Sequence, residues 1–307
     1  MLTTLTKILV SANKNGYAVG AFNVNSLEIL QGIMAAAKSE RSPVIVQTSE
    51  GAIEYAGLDE LGTLVHLAAH KTDLPVVLHL DHGKNYELVV EAIESGYYTS
   101  VMYDGSSLPY AENVKRTKEI VALAHAKRIS VEAELGAIAG IEDFVSVKER
   151  DAHFTDPKQA ADFVKKTGCD ALAVAIGTSH GAYKFRGSSQ LDFERLKTIK
   201  RAVKVPLVLH GASGVPTSLK KLCIKYGCKI DEAKGVSDTM IKQAVRLGIN
   251  KVNIDTDLRI AFDAGVRQFL SKHPSVIDPR KILAPARDLI TKVVRQKMRL
   301  FGSSGKS

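Results

Sequence analysis

The feature that most constrains the fold is an alternation of strand-like and helical segments that repeats eight times. Short apolar or β-branched runs of strand length are followed by longer segments whose apolar residues recur at helical spacing. This alternation is typical of a parallel sheet with helices packed outside it. The strands are predicted at residues 19–24, 43–47, 74–78, 100–103, 129–133, 171–176, 206–209 and 249–254.

Eight strand–helix units favour an α/β fold of the (β/α)8 barrel type, with extra N-terminal and C-terminal helices. A doubly wound open sheet is the alternative, because a count of strands does not show that the sheet closes. The 307 residues show no change of composition that would mark a boundary, so a single domain covering 1–307 is predicted. The small polar residues at 302–307 are predicted to form a flexible, solvated end.

Composition and charge restrict the class of partner. A net charge of +9 favours anionic ligands, phosphates above all. Tryptophan is absent and the chain has no basic–aromatic run, so a nucleic-acid partner is not predicted. Neither a membrane-spanning apolar run nor the apolar core of a secretion signal is found in the sequence. Three cysteines, an odd number, fit a reducing cytoplasm better than a disulfide framework.

Polar or ionisable residues lie at or just beyond the end of nearly every predicted strand. In a barrel the carboxyl ends of the strands share one face, where active sites are built. Hydrogen bonds at the start of a loop could explain any one of these residues but explain the whole set poorly. The set comprises Asn23, Ser49, Asp81, His82, Asp104, Glu134, His180, His210, Asn253 and Asp255.

Three histidines of this set follow three different strands, as a catalytic zinc site with an open coordination position requires. The alternative is three unrelated histidines, each bonded to its own neighbours. His79, on the third strand, is a rival ligand but is better interpreted as a residue behind the ligands. Asp104 and Glu134 are predicted to bind a second ion or to orient the histidines. The three candidate zinc ligands are His82, His180 and His210.

Two turns near the end of the barrel are candidates for phosphate binding. Gly211-Ala-Ser-Gly214 follows the seventh predicted strand and Asp255-Thr256 follows the eighth. Barrels often bind phosphate with backbone N–H groups at these two loops. Arg259 lies one helical turn beyond Asp255 and is a candidate for a second phosphate, with a plain surface arginine as the alternative.

Six short segments, in this order, resemble the class II, metal-dependent fructose-1,6-bisphosphate aldolases, in particular their short bacterial tetrameric type. The resemblance extends from the N-terminal helix to about Leu300. The six segments together are far more specific than any one of them. They are Gly20-Ala-Phe-Asn23, His79-Leu-Asp-His-Gly83, Val131-Glu-Ala-Glu-Leu-Gly136, Gly177-Thr-Ser-His-Gly181, His210-Gly-Ala-Ser-Gly214 and Asn253-Ile-Asp-Thr-Asp-Leu-Arg259.

The resemblance implies reversible, zinc-dependent cleavage of fructose 1,6-bisphosphate to dihydroxyacetone phosphate and glyceraldehyde 3-phosphate, in glycolysis and gluconeogenesis. It implies that the three histidines bind the catalytic zinc, and that Asp104 and Glu134 bind a second divalent ion. Asp81 resembles the acid/base that serves the C4 oxygen. Glu142 lies in a stretch of about twenty residues that is long enough to be a functional loop, and it resembles the mobile acid/base for the dihydroxyacetone phosphate carbon.

The remaining site residues are assigned by the same resemblance. Asn23 and Ser49 resemble contacts to the aldehyde half of the substrate. Arg259 resembles the residue that grips the distal phosphate, in an arrangement that can cross a subunit boundary. A homo-oligomer, dimer or tetramer, is therefore expected, as is a monovalent cation (Na⁺ or K⁺) near the dihydroxyacetone phosphate site. That site is assigned to Gly181, Gly211, Ala212, Ser213, Asn253, Asp255 and Thr256.

Three rival functions stay open at this stage. Tagatose-1,6-bisphosphate aldolase differs from the first candidate only in the configuration at C4. Schiff-base aldol chemistry would use Lys184 or Lys251, which are interpreted as surface lysines. A non-catalytic protein that binds anionic ligands or nucleic acid would use the +9 charge but leaves the acidic residues and histidines unexplained.

Overall fold

Eight parallel strands close into a barrel, which confirms the predicted (β/α)8 fold and excludes the open sheet. The computed structural model describes residues 1–136, 139–142, 145–147, 154–180, 190–230 and 235–307, with backbone only for 139–142, 145–147 and 179–180. The barrel strands are β1 (Val19–Asn23), β2 (Val44–Ser49), β3 (Val76–Gly83), β4 (Ser100–Tyr103), β5 (Ser130–Leu135), β8 (Ala171–Val174), β10 (Leu207–Leu209) and β11 (Ile249–Ile254).

Each barrel strand pairs with its neighbours in chain order, and β11 returns to β1 with Val19 opposite Lys251. Three further strands form a small separate sheet in the order β7, β6, β9. They are β6 (Ala139–Glu142), β7 (Val145–Val147) and β9 (Ser179–His180). The stretch predicted as a long functional loop therefore contains a β-hairpin, and the β6 backbone pairs Gly140 with His180.

Twelve helices are described, and most follow the predicted alternation. Ser26 caps the second helix as predicted, since its side chain accepts a hydrogen bond from the Ile29 N–H. Asp156 and Pro157 likewise begin the seventh helix. The helices are α1 (Leu5–Asn15), α2 (Leu27–Glu40), α3 (Glu50–Ala56), α4 (Leu58–His70), α5 (Tyr86–Glu94), α6 (Tyr110–Ala126), α7 (Pro157–Thr167), α8 (Phe193–Ala202), α9 (Thr217–Lys225), α10 (Asp238–Arg246), α11 (Thr256–Lys272) and α12 (Pro279–Phe301).

The two ends of the barrel differ in chemistry. Helix α1 contributes Leu5 and Leu9 to a buried cluster with Val19, Val77 and Val208, which lie early in their strands. This apolar cluster closes the amino-terminal end, and burial of such side chains stabilises the fold by about 1.5–3 kcal/mol each. The amino-terminal end is therefore filled by apolar packing, while the predicted site residues lie towards the carboxyl ends of the strands.

The carboxyl-terminal residues 302–307, predicted as a solvated end, lie against α2. Ser303 is buried, and its hydroxyl lies 2.8 Å from that of Ser42. The Gly305 N–H donates to the Glu40 carbonyl, and the Glu40 carboxylate accepts from Ser304. The backbone and side-chain hydrogen bonds of Glu40 therefore connect this end of the chain to the body of the domain. None of the helices in the described ranges is both long and apolar enough to cross a membrane.

Candidate active site

Strand β3 extends further than predicted and carries three site candidates. It runs to Gly83, so His79, Asp81 and His82 belong to the strand and are all buried. Its register against β4 shifts between Leu80 and Gly83, and His82 has a positive φ of 49°. Successive side chains of a regular strand point to opposite faces. The irregularity therefore allows two consecutive residues, Asp81 and His82, to lie in the same cluster.

Asp81 is held by three amide side chains from three other strands. Its Oδ2 accepts hydrogen bonds from Gln47 Nε2 at 2.9 Å and Asn23 Nδ2 at 3.2 Å. Its Oδ1 accepts from Asn253 Nδ2 at 2.8 Å. Burial raises the pKa of Asp81, but nearby cations, His82 foremost, outweigh burial and hold the pKa below its usual range. Asp81 is therefore an oriented carboxylate that stays ionised at neutral pH.

His82 lies in a strongly negative environment. Its Nδ1 is 3.2 Å from Asp104 Oδ2 and 3.9 Å from Glu134 Oε2. Burial lowers the pKa of His82, but Asp81 and Asp104 outweigh it and raise the pKa to about 10. Burial likewise raises the pKa of Asp104, and His82 brings it well below its ordinary value. An environment that stabilises a positive charge on this ring would also stabilise a bound metal cation.

His210 joins this group from β10, across the barrel. Its ring centroid lies 4.4 Å from that of His82. Its Nδ1 is 3.0 Å from Glu134 Oε2, and its Nε2 is 2.8 Å from Glu132 Oε1. Burial lowers the pKa of His210, but these two glutamates outweigh burial and raise the pKa. Two of the three predicted histidines are thus brought together, each with a carboxylate beside it.

The donor atoms of this cluster fit a metal ion. Imidazole nitrogens with carboxylate oxygens are the ligand types of catalytic zinc, with oxygen-rich sets preferred by harder divalent ions. Within each of two groups, all candidate ligand atoms lie within 4.8 Å of one another. The groups are Asp81, His82 and His210, and His82, Asp104 and Glu134. The second group contains Asp104 and Glu134, the pair that the sequence predicts for a second ion, together with His82.

Part of the predicted site lies outside the described residues. Gly181, a predicted substrate contact, lies outside them, and so does Lys184, a candidate for Schiff-base chemistry. His180 and Glu142 are described by their backbones alone, in β9 and β6, and their side chains lie outside the description. Because β6 pairs with β9, the backbones that carry these two residues belong to one small sheet.

A cavity of about 290 Å³ opens at the ends of β1 and β2 and brings four predicted substrate residues together. Within it, Arg259 Nη2 lies 2.7 Å from Asp255 Oδ2. Ser49 accepts a hydrogen bond from the Ala52 N–H and so caps α3, a short helix that the sequence analysis does not predict. The cavity is lined by Asn23, Val24, Asn25, Ser49, Gly51, Ala52, Tyr55, Asp255 and Arg259.

The predicted phosphate loop after β10 is anchored by a residue that the sequence analysis misses. Asp257, fully buried at the start of α11, accepts hydrogen bonds from the Gly214 N–H at 3.2 Å and the Val215 N–H at 2.7 Å. Lys297 on α12 lies 2.9 Å from the same carboxylate. The anchored segment follows directly after the predicted phosphate-binding residues Gly211, Ala212 and Ser213, and Thr256 precedes Asp257. Burial is complete or nearly so for Ala212, Ser213 and Thr256. Asp257 lies within the segment 253–259 but is given no role there, because its role is visible only when the two loops meet.

Three more buried polar residues support the cluster and were not predicted as site residues. Gln47 bonds Asp81 and, at 2.7 Å, Asn23 Oδ1. Glu132 and Lys251 lie in the barrel interior with an Nζ–Oε2 distance of 2.9 Å. The interpretation of Lys251 as a surface lysine is wrong, since it is 0% exposed. An ammonium ion held by a carboxylate is a poor nucleophile, which disfavours Schiff-base chemistry at this residue.

A third group of potential metal ligands lies away from this site. Cys223, Cys228 and Asp263 have ligand atoms within 4.8 Å of one another. Cys223 Sγ donates to Asp263 Oδ2 at 3.2 Å, and Arg267 Nε lies 2.7 and 2.8 Å from the two carboxylate oxygens. Arg267 already neutralises the carboxylate, so this group has less attraction for a cation than the histidine cluster.

This closed (β/α)8 barrel, with histidines and carboxylates gathered at the carboxyl ends of its strands, has the construction of a metal-dependent enzyme. A sequence model of the family described as "Fructose-bisphosphate aldolase class-II" matches residues 3–306, and the chain belongs to this family.

Individual relatives agree with this assignment over the full length. The chain is 50% identical to a fructose-bisphosphate aldolase of Thermus caldophilus and 47% identical to one of Helicobacter pylori (strain 26695), with 100% of both chains covered in each case. It is also similar to the crystal structure of the YdjI aldolase from Escherichia coli K12. That similarity has a TM-score of 0.80 at 35% identity, covering 100% of this chain and 99% of the other.

Proposed function

We propose that this protein catalyses the reversible, zinc-dependent aldol cleavage of fructose 1,6-bisphosphate to dihydroxyacetone phosphate and glyceraldehyde 3-phosphate. The observation that carries the proposal is the juxtaposition of Asp81 with the His82–His210 pair. A carboxylate fixed by three amides lies directly beside a cluster of metal-ligand type. This arrangement supplies a base for a hydroxyl group next to a site for a Lewis acid.

His82, His210 and His180 would hold the catalytic zinc. When bound there, zinc supplies Lewis-acid polarisation of the substrate carbonyl, which makes the adjacent carbon acidic. In this assignment Asp104 and Glu134 serve a second divalent ion, and a monovalent cation lies near the dihydroxyacetone phosphate site. The 3.2 Å contact between His82 Nδ1 and Asp104 Oδ2 indicates that Asp104 would also orient the His82 ring.

Asp81 accepts the proton of the C4 hydroxyl as the C3–C4 bond breaks, so that C4 becomes the aldehyde carbon of glyceraldehyde 3-phosphate. The electron pair of that bond stays with the three-carbon fragment that ends as dihydroxyacetone phosphate. Glu142 then delivers a proton to C3 of this fragment. Asn23, Gln47 and Asn253 keep the Asp81 carboxylate oriented, and orientation of a reacting group contributes strongly to rate.

The two phosphates of the substrate are assigned to different sets of residues. The loop of Gly211, Ala212 and Ser213, with Gly181, Asn253, Asp255 and Thr256, takes the dihydroxyacetone phosphate end. Arg259 takes the distal phosphate, with Asn23 and Ser49 as contacts to the aldehyde half. Their shared cavity of about 290 Å³ supports this second assignment.

The proposal extends to the assembly and the compartment. The family resemblance favours a dimer or tetramer, with Arg259 near a subunit boundary. Cysteine usage favours the cytoplasm, since Cys169, Cys223 and Cys228 are all free thiols. Neither DNA nor a membrane is a partner in this proposal.

The substrate assignment is tested by comparing kcat/KM for cleavage of fructose 1,6-bisphosphate with that for tagatose 1,6-bisphosphate, under identical metal loading. We expect the fructose epimer to be preferred by at least about tenfold, which corresponds to 1.4 kcal/mol of transition-state discrimination. A preference for the tagatose epimer would reassign the substrate while leaving the aldol mechanism intact. Cleavage of neither sugar would contradict the proposed function itself.

A further inference from the structure

A buried ion pair lies directly behind His210, in the interior of the barrel. Lys251 Nζ on β11 is 2.9 Å from Glu132 Oε2 and 3.2 Å from Glu132 Oε1 on β5. Both side chains are 0% exposed. Removing two charges from water is costly, so a pair in this position is not explained by stability alone.

The two ring nitrogens of His210 face different layers of the barrel. Nδ1 lies 3.0 Å from Glu134 Oε2, which belongs to the group of candidate metal ligands with His82 and Asp104. Nε2 lies 2.8 Å from Glu132 Oε1, on the side of the buried ion pair. A ligand imidazole needs a lone pair on the nitrogen that faces the metal, and the hydrogen bond of the other nitrogen decides where the proton stays.

We propose that Glu132 and Lys251 are positioning residues for the metal ligand His210. Glu132 accepts a hydrogen bond from His210 Nε2–H, which leaves the Nδ1 lone pair directed at the metal cluster. Lys251 balances the charge of Glu132 and fixes its carboxylate beneath the ring. This inference rests on the proposed zinc-dependent function and adds two residues that do not touch substrate or metal.

His79 is a second partner of Lys251, in addition to Glu132. Its Nε2 is 3.5 Å from Lys251 Nζ, and its Nδ1 is 2.8 Å from Ser100 Oγ. A ring that donates from Nδ1–H to Ser100 has its acceptor nitrogen turned towards the ammonium group. Lys251 therefore has partners in Glu132 and His79, which accounts for a lysine wholly enclosed by the barrel.

The experiment measures the dissociation constant for Zn²⁺ alone, by competition of metal-free protein with a chromophoric chelator. Lys251→Met should weaken zinc binding on the order of 10–100-fold, because the Glu132 carboxylate loses the group that fixes it beneath the His210 ring. Lys297→Met is the matched control. It breaks another buried ion pair of the same 2.9 Å length, with Asp257, and should leave the zinc affinity within about twofold of wild type.

A neutral double variant covers the case in which Lys251→Met does not fold. Glu132→Gln with Lys251→Met removes both charges, keeps an oxygen acceptor for His210 and leaves no unpaired charge in the core. We expect it to fold and to bind zinc several-fold more weakly than wild type, since a neutral amide is a weaker acceptor than a carboxylate.

Two direct outcomes would overturn the positioning role. One is wild-type zinc affinity in the folded Lys251→Met protein or in the double variant. The other is an equal loss in Lys251→Met and Lys297→Met, which would indicate general loosening of the core. Because substrate is absent, a failure of the aldolase assignment leaves this result intact, whereas wild-type protein that binds no zinc would contradict both proposals.

Discussion

Asp81 and His82 are consecutive in the chain, yet both side chains lie in the same buried cluster at the carboxyl end of β3. The register shift between Leu80 and Gly83 and the positive φ of His82 produce this arrangement. A non-glycine residue in the left-handed region is uncommon and carries a conformational cost of about 1 kcal/mol or more. This local strain places a carboxylate directly beside a candidate metal ligand.

Gly83 ends this irregular segment, and its surroundings leave no room for a side chain. A Cβ added there would lie 2.5 Å from the Met102 carbonyl oxygen and 2.5 Å from Val89 Cγ2. We expect Gly83→Ala to lower the free energy of unfolding by about 1–3 kcal/mol, measured by urea denaturation, and to weaken zinc binding. Gly96→Ala, where nothing lies within 4 Å of the added atom, is the control for a glycine-to-alanine change without steric overlap and should leave zinc binding unchanged. Unaltered stability of Gly83→Ala would contradict the tight fit.

Removal of the carboxylate of Asp81 should abolish most of the turnover. Asp81→Asn keeps the shape of the side chain but cannot accept the C4 hydroxyl proton, so we expect kcat to fall by about 10²–10⁴. Asp73→Asn, on the surface, is the control for loss of a negative charge. Steady-state cleavage assays on zinc-loaded protein provide the measurement, and near-wild-type kcat in Asp81→Asn would remove this residue from proton transfer.

Glu142 is predicted to act on a different proton. With Glu142→Gln we expect exchange of the dihydroxyacetone phosphate C–H proton with solvent deuterium to fall by about 10² or more, because a glutamine cannot carry a proton to carbon. Exchange is followed by NMR of dihydroxyacetone phosphate in heavy water without the aldehyde, so it isolates this step from C–C cleavage. Exchange at the wild-type rate would assign the proton to another group.

The attachment of the chain's carboxyl-terminal end should depend on pH through Glu40. Hydrogen bonds from Arg299, with Arg295 and Ser304, lower the pKa of Glu40 from 4.5 to about 2. A carboxyl whose pKa is depressed by folding stabilises the fold above the unfolded pKa and loses this contribution as the pH falls from about 4.5 to about 2. The partner arginines are half-exposed, so we expect Glu40→Gln to cost only about 1 kcal/mol at pH 7.

Urea denaturation of wild type and Glu40→Gln as a function of pH measures this effect. The difference between the two proteins should shrink on acidification across that window. A difference that stays constant from pH 7 to pH 3 would show that charge on Glu40 is not what holds the end of the chain.

The architecture could be predicted from the sequence because it depends on local patterns. All eight barrel strands occur near their predicted positions, and Ser26 and Asp156 begin helices as predicted. The end of β3 could not be predicted, because His79 and Asp81 interrupt the apolar run while still pointing into the barrel. Their burial depends on partners such as Ser100 and Asn253, which only closure of the barrel brings near.

The gathering of several candidate site residues could be predicted from the sequence, but the buried residues that hold them in place could not. The position after a strand end identifies Asp81, Asp104 and His210, since barrel ends share one face. The burial of Lys251 could not be predicted. A lysine is usually a surface residue, and its partner Glu132 lies 119 residues earlier in the chain. Asp257 was missed for the same reason. Buried polar residues whose partners are distant in the chain leave no local pattern.

The metal dependence of cleavage separates this mechanism from its main rival. Fructose 1,6-bisphosphate cleavage is measured on protein as isolated, after exhaustive treatment with EDTA, and after addition of Zn²⁺. We expect activity to fall by at least about 10²-fold on chelation and to return with stoichiometric zinc. Activity that survives complete removal of the metal, with the protein trapped by borohydride in the presence of substrate, would contradict the zinc mechanism and indicate a Schiff base.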